Sequence, residues 1–178
     1  MLEVDKPIVD LKKYIRDVPD FPEPGILFRD ITPLLRNPQA FNYAIDRLVD
    51  RYSQHSFDTV VAVESRGFLF GAPLACRMGK SLVLVRKPGK LPATTNSAQY
   101  SLEYGSNVLE IHADDIQPGE RVVVLDDLLA IGGTLKAAAE LVEGSGGVVT
   151  GIGLVIELKD LGGRDRLKGY DIFSLLQY

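Results

Sequence analysis

Apolar residues cluster in three short, unbroken β-branched runs, Thr59–Val63, Leu82–Val85 and Arg121–Leu125. Because apolar positions in them are continuous rather than alternating, each reads as a strand covered on both faces, as in a parallel sheet. Between and after them lie stretches with helical character, Gly67–Met78, where Pro73 is placed to kink the helix, and Thr134–Glu143. The order strand, helix, strand therefore recurs. It predicts an α/β fold with a doubly wound, mainly parallel sheet flanked by helices. Val148–Ile156 and Asp171–Leu175 would add two further strands. Ahead of the first strand, Asn37 and Pro38 precede apolar Phe41, Ala44, Ile45, Leu48, Val49 and Tyr52, an N-capped amphipathic helix whose stripe should pack on the sheet.

Two segments break the rhythm. Arg86 to Asn107 holds Pro88, Gly89, Pro92, Asn96 and Gly105 and shows no period of 2 or 3.6. A 22-residue irregular stretch is rare in a compact domain unless it is a lid or binding loop, so a mobile lid is expected. Phe21 to Leu35 carries prolines and a glycine near its start and cannot be one regular element. No repeat or Gly/Ser linker divides the chain, which predicts one domain over residues 1–178 with an N-terminal extension.

Composition narrows the function. With 46% hydrophobic and 25% charged residues in 178, the chain can enclose a core and fold without a partner. A formal charge of −4 and a pI near 5.2 argue against nucleic-acid binding, which needs clustered Lys and Arg, so any phosphate site must be local. The single cysteine, Cys76, forms no intrachain disulfide and reads as a buried packing residue. The N-terminus lacks the apolar core of a signal peptide, and no apolar run nears the roughly 20 residues of a spanning helix, which together predict a cytoplasmic protein with no membrane partner. Neither His55 nor His112 falls in a motif, and both read as surface or structural residues.

The strongest chemical signal is Val122 to Thr134: a buried strand, the adjacent acids Asp126 and Asp127, then Ala130, Ile131, Gly132, Gly133 and Thr134 leading into a helix. Glycines let backbone approach a ligand, and the unpaired N–H groups of a helix start favour an anion. Carboxylates at the carboxyl end of such a strand cannot hold phosphate; they serve hydroxyls or a metal, and sugar hydroxyls beside a phosphate mean a ribose phosphate. A bare Asp-Gly-Gly pattern would make only a turn and a cap. Ala62 to Phe68 is a second strand running into a loop, where Ser65 offers a hydroxyl and Arg66 a guanidinium fork for phosphate oxygens. Arg86, Lys87 and Lys90 put basic residues at the base of the expected lid, suited to a polyanionic leaving group.

The thirteen residues Val122–Thr134 resemble the phosphoribosyl pyrophosphate signature of the type I phosphoribosyltransferases. The loop around Ser65 and Arg66, the Phe21–Leu35 segment and the lid are similar to those of the adenine phosphoribosyltransferases, in the same order, over nearly the whole chain. Ile131 departs from the pattern, since the family commonly places a threonine there, and a hydroxyl for the 5′-phosphate is lost. The resemblance implies that Phe28 stacks on adenine with Ile26, Leu27 and Arg29 beside it, and that Leu158 covers the other face of the base. It implies that Lys87 and Lys90 reach phosphate, and that Glu103 and Tyr104 are the lid's acid and its neighbouring tyrosine.

On this resemblance the expected reaction joins adenine to phosphoribosyl pyrophosphate, giving AMP and pyrophosphate, in a homodimeric enzyme. Charge building on the ribose ring would resemble the oxocarbenium-like transition states of glycosidases. Asp126 and Asp127 would hold ribose hydroxyls, residues 130–134 the 5′-phosphate, Arg66 the pyrophosphate side, and Glu103 would exchange the purine proton. Mg²⁺ would be carried mainly by substrate and water, with no direct protein ligand. Two alternatives remain: a noncatalytic nucleotide-sensing regulator, supported by Ile131, and a transferase that uses another base.

Overall fold

The computed structural model describes residues 8–101 and 106–178. The chain divides into two compact units, residues 1–47 and 48–178.

In the first unit, β1 (Arg16–Pro19) and β2 (Leu27–Asp30) form an antiparallel pair, with Val18 opposite Phe28. The hairpin is tied by charge where its two strands begin and end: Arg16 reaches the Asp30 carboxylate at 2.5 Å, and Arg29 pairs with Asp17. Asp30 also accepts from the Thr32 N–H at 2.8 Å, which turns the chain into the short helix α1 (Thr32–Arg36). The helix α2 (Pro38–Tyr52) follows and runs across the division between the units. Its cap is as read from sequence, with Asn37 Oδ1 accepting the Ala40 N–H at 2.9 Å.

The second unit is built on five parallel strands in the order β4-β3-β7-β8-β9. They are β3 (Thr59–Val63), β4 (Ser81–Val85), β7 (Arg121–Leu129), β8 (Val148–Glu157) and β9 (Ile172–Gln177). The intervening strands β5 (Thr95–Ser101) and β6 (Ser106–His112) pair antiparallel as a separate hairpin. Helix α3 (Gly67–Met78) lies on one face, close enough that a Cβ on Gly71 would stand 2.6 Å from the Ala62 Cβ. Helix α4 (Gly133–Gly144) lies on the other, where Leu135, Ala138 and Val142 join Val61, Val63, Val122 and Val124 in one core cluster. Alternate residues of the same valine-rich strands thus feed two cores, which is why the runs read as continuously apolar.

Four expectations are corrected. Thr95–Ser101 is a strand, not part of an irregular loop: Ala98 and Tyr100 turn toward the core while Ser97 and Gln99 face outward, and that alternation is masked because polar Asn96 and small Ala98 share the register of Tyr100. Strand β7 does not stop at Leu125 but carries both acids within it, because β8 continues to pair with it as far as Glu157. Strand β4 is the edge of the sheet and leaves Leu82 39% exposed, so it is not covered on both faces. Cys76 is exposed, lying on the outer face of α3 with Ala72. Among the described residues no helix is long and apolar enough to cross a membrane.

Candidate active site

The parallel strands β3, β4 and β7 all deliver their carboxyl ends to one side, so the segments that follow them meet there. A cavity of about 370 Å³ opens at this point in the second unit. Its wall gathers Ser65 and Arg66 after β3, Lys87 after β4, Asp126 and Asp127 within β7, and the whole run Ala130–Thr134. These are candidates separated by up to 69 positions in sequence, brought together by topology alone.

The loop Ala130–Gly132 joins β7 to α4. Gly132 has φ +84°, a left-handed conformation that side chains resist, and it stands at the start of α4. The helix is 12 residues long and has no acidic residue in its first turn, so its N-terminal N–H groups and dipole present positive potential to the cavity. Ile131 and Thr134 are half-buried and line the same wall.

Opposite in sign are the two acids. Asp126 is 8% exposed and Asp127 4%. Asp126 Oδ1 accepts the Asp127 N–H at 2.8 Å, and Asp127 meets Arg66 Nε at 2.9 Å. Burial pushes both carboxyls above the ordinary aspartate range; repulsion from Asp127 adds to this for Asp126, and Arg66 opposes it for Asp127 without cancelling it. Such a pair gains from hydroxyl donors more than a solvated pair would.

Glu64, which the sequence reading passed over, organises the third side. It is the residue before Ser65, and the Glu64–Ser65 peptide is cis. Its Oε2 accepts from the Lys87 N–H at 3.0 Å and from Arg86 Nε at 3.1 Å, while Arg86 Nη1 donates to the Lys90 carbonyl at 3.1 Å. Burial raises the Glu64 carboxyl, but these donors outweigh it and hold it below the usual range. Arg86 is thus engaged in fixing the β4 loop, whereas Lys87 lines the cavity and Lys90 is exposed. Tyr100 and Leu109 of the β5–β6 hairpin complete the wall. The signal for Tyr100 was the hidden alternation of β5; for Glu64 it was only its adjacency to Ser65.

Other candidates stand elsewhere. Leu158 follows β8, half-buried, its N–H bonded to the Leu129 carbonyl at 2.9 Å. In the first unit, Ile26 and Leu27 are 43% and 45% exposed, Arg29 is paired with Asp17, and Phe28 meets Phe21 edge-to-face at 5.1 Å. Glu103 and Tyr104 lie outside the described residues. His55 and His112 are away from the cavity, facing Asp171 at 3.2 Å and Asp115 at 3.3 Å.

Comparison with known proteins agrees with this geometry. Residues 32–175 match the model of the phosphoribosyl transferase domain. The adenine phosphoribosyltransferase of Chloroflexus aurantiacus is 57% identical over 169 residues, covering 95% of this chain and 98% of that protein. The crystal structure of the Thermoanaerobacter pseudethanolicus adenine phosphoribosyltransferase superposes with a TM-score of 0.93 at 55% identity, covering 94% of this chain and 98% of the other. That of Saccharomyces cerevisiae, complexed with an imino-altritol bisphosphate and adenine, gives 0.88 at 42% identity, covering 93% and 96%. Matched by the family model over residues 32–175, and by relatives more than 50% identical over nearly its full length, the chain belongs to the phosphoribosyltransferase family, among the adenine phosphoribosyltransferases.

Proposed function

We propose that this chain transfers the 5-phosphoribosyl group from phosphoribosyl pyrophosphate to adenine, forming the N9–C1′ bond as the C1′–pyrophosphate bond breaks. The observation that carries the reading is the juxtaposition, in one cavity, of an under-compensated buried acid pair with a glycine-bounded loop at a helix N-terminus. Positive charge develops on the ribose as pyrophosphate departs. Asp126 and Asp127 accept the ribose hydroxyls and set negative charge beside that cation, while the backbone of residues 130–134 and the Thr134 hydroxyl receive the 5′-phosphate. Ser65, Arg66 and Lys87 face the pyrophosphate side, with Arg86 and Glu64 fixing the loop that carries Lys87. Phe28 and Leu158 are assigned to the two faces of adenine, Ile26, Leu27 and Arg29 to its edge, Lys90 and Tyr104 to the lid, and Glu103 to the purine proton. These roles follow the family pattern.

Mg²⁺ fits this site as a cation brought by the substrate. Among the described residues no three His, Cys, Asp or Glu side chains form a metal cluster, while the acid pair offers oxygens to the waters of a hard ion. When bound, it neutralises the leaving pyrophosphate. The reading extends to a homodimer of one domain per chain in the cytoplasm, as the family resemblance implies.

Initial rates of pyrophosphate release, measured with adenine, hypoxanthine, guanine and orotate, test the assignment. Adenine alone should turn over, and only with Mg²⁺. Turnover with another base would reassign the substrate, and none with any base at millimolar concentration would favour the nucleotide-sensing regulator.

A further inference from the structure

Strand β8 ends on Glu157, and the chain returns through two 3-10 turns, Lys159–Leu161 and Gly163–Leu167. This return segment presses on the phosphate loop backbone to backbone. A Cβ on Gly163 would stand 2.2 Å from the Ala130 carbonyl oxygen, and one on Gly132 would stand 2.5 Å from the Gly163 carbonyl oxygen. Gly132 needs glycine for its φ of +84° in any case. Gly163 does not have a left-handed φ, so only the closeness of Ala130 and Leu129 excludes a side chain there.

The residue after Gly163 locks the contact. Arg164 forks onto Glu157, Nε to Oε1 at 2.5 Å and Nη2 to Oε2 at 2.7 Å, and its Nη1 donates to the Ile172 carbonyl at 3.4 Å. Two planar forks meeting in this way fix direction as well as distance.

We propose that the Glu157–Arg164 pair is a positioning latch for phosphate binding: by holding Gly163 against Ala130 and Gly132, it sets the loop amides that receive the 5′-phosphate. The inference rests on the phosphoribosyl transfer proposed above. Loop amides displaced by about 1 Å can cost on the order of a hundredfold. The latch therefore acts on the phosphate ligand, and adenine is affected only indirectly.

The test compares the full unmodified chain with Gly163→Ala, Arg164→Met and Arg164→Lys, by initial rates across phosphoribosyl pyrophosphate and adenine series, thermal melts, and calorimetric titration with ribose 5-phosphate. The Michaelis constant for phosphoribosyl pyrophosphate should rise about tenfold or more in Gly163→Ala and about fivefold in Arg164→Met, with Arg164→Lys between Met and the unmodified chain. The constant for adenine should stay within about twofold. Ribose 5-phosphate affinity should fall in the same order, which reads the latch without turnover. Folded variants that keep the unmodified phosphoribosyl constant and melt lower would show a purely structural pair and overturn the proposal. So would a parallel rise in both constants, or no binding of ribose 5-phosphate by the unmodified chain. If Gly163→Ala fails to fold, the Met and Lys pair still decides. An unmodified chain that binds ribose 5-phosphate in the expected order of variants but turns over no base overturns the reaction and leaves the latch standing.

Discussion

Glu157 on β8 and the Asp126–Asp127 pair on β7 are buried carboxylates near the carboxyl ends of neighbouring strands, yet their surroundings treat them oppositely. Glu157, 2% exposed, takes the Arg164 fork, the Ser174 hydroxyl at 2.7 Å and Gln177 Nε2 at 3.2 Å. The Arg164 bonds lead in holding its carboxyl down to about 2, against the pull of burial. At Asp126 burial leads and wins, and the neighbouring Asp127 charge adds to it. A carboxylate whose lone pairs are filled by protein donors is committed to the fold. One that is buried with less compensation costs the fold stability and keeps its acceptor capacity for a ligand.

The widest separation between the two sites should come from neutralising each in turn. Asp126→Asn and Asp127→Asn should each lower turnover by about a hundredfold or more, since each removes charge beside the ribose. Asp126→Asn should nevertheless melt at or above the unmodified temperature, because the amide oxygen can still accept the Asp127 N–H while the buried charge is gone. Glu157→Gln should do the reverse. Turnover at saturating substrate should stay within a few-fold. Stability should fall by roughly 2–3 kcal/mol, about 4–12 °C for a chain of this size, as Arg164 loses its charged partner. Paired initial-rate and melting measurements on the three variants check this; equal loss of stability in all three would erase the distinction.

The pH dependence sharpens it further. Glu157 is depressed from its ordinary value of 4.5 to about 2, so its contribution is complete above about pH 4.5 and is lost as pH falls toward 2. The stability gap between the unmodified chain and Glu157→Gln should therefore be flat near neutrality and close in acid. Asp126 is raised, so the unmodified chain loses stability relative to Asp126→Asn as pH rises from 3.8 toward the folded-state value, and the gap then levels. Urea unfolding of the three proteins between pH 3.5 and 7.5 reads both gaps. Gaps that move in the same direction would contradict the contrast.

The acid pair was legible in sequence because it sits in a local pattern: a valine run, two acids and a Gly-Gly-Thr turn within thirteen residues. The sheet was legible for the same reason, since burial on both faces writes itself as unbroken hydrophobicity. Glu157 was not. Its partners Arg164, Ser174 and Gln177 come from two later segments, and no spacing announces a carboxylate that will be satisfied by pairing β8 with β9. Glu64 escaped likewise, because its bonds reach 22 and 23 residues ahead to Arg86 and Lys87. The β5–β6 hairpin was hidden because Asn96, of low strand propensity, and small Ala98 share the register of Tyr100, while Ser97 and Gln99 face outward and add no apolar signal. The exposed Cys76 shows the limit of composition, since residue type alone favours burial while its position on α3 points it outward.

The smallest expected effect lies in the phosphate loop itself, where Ile131 stands in the cavity wall beside Gly132. Ile131→Thr restores the hydroxyl that the family pattern carries and leaves the acid pair and Glu157 untouched. A hydroxyl donating to a charged phosphate is worth about 1.5–3 kcal/mol, but loop amides and Thr134 already face the same ligand, so a net gain of about 1 kcal/mol is expected. That is about a fivefold fall in the Michaelis constant for phosphoribosyl pyrophosphate. Because the 5′-phosphate does not change charge during the reaction, ground state and transition state gain alike, and turnover should hardly move. Adenine's constant should shift less still. Stability should change little, because Ile131 is half-buried and the threonine remains β-branched. Initial rates of both proteins across a phosphoribosyl pyrophosphate series decide it. An unchanged or higher constant in the threonine variant would mean that the isoleucine makes an apolar contact the hydroxyl cannot replace, and that phosphate affinity here is carried by the backbone which Gly163 holds in place.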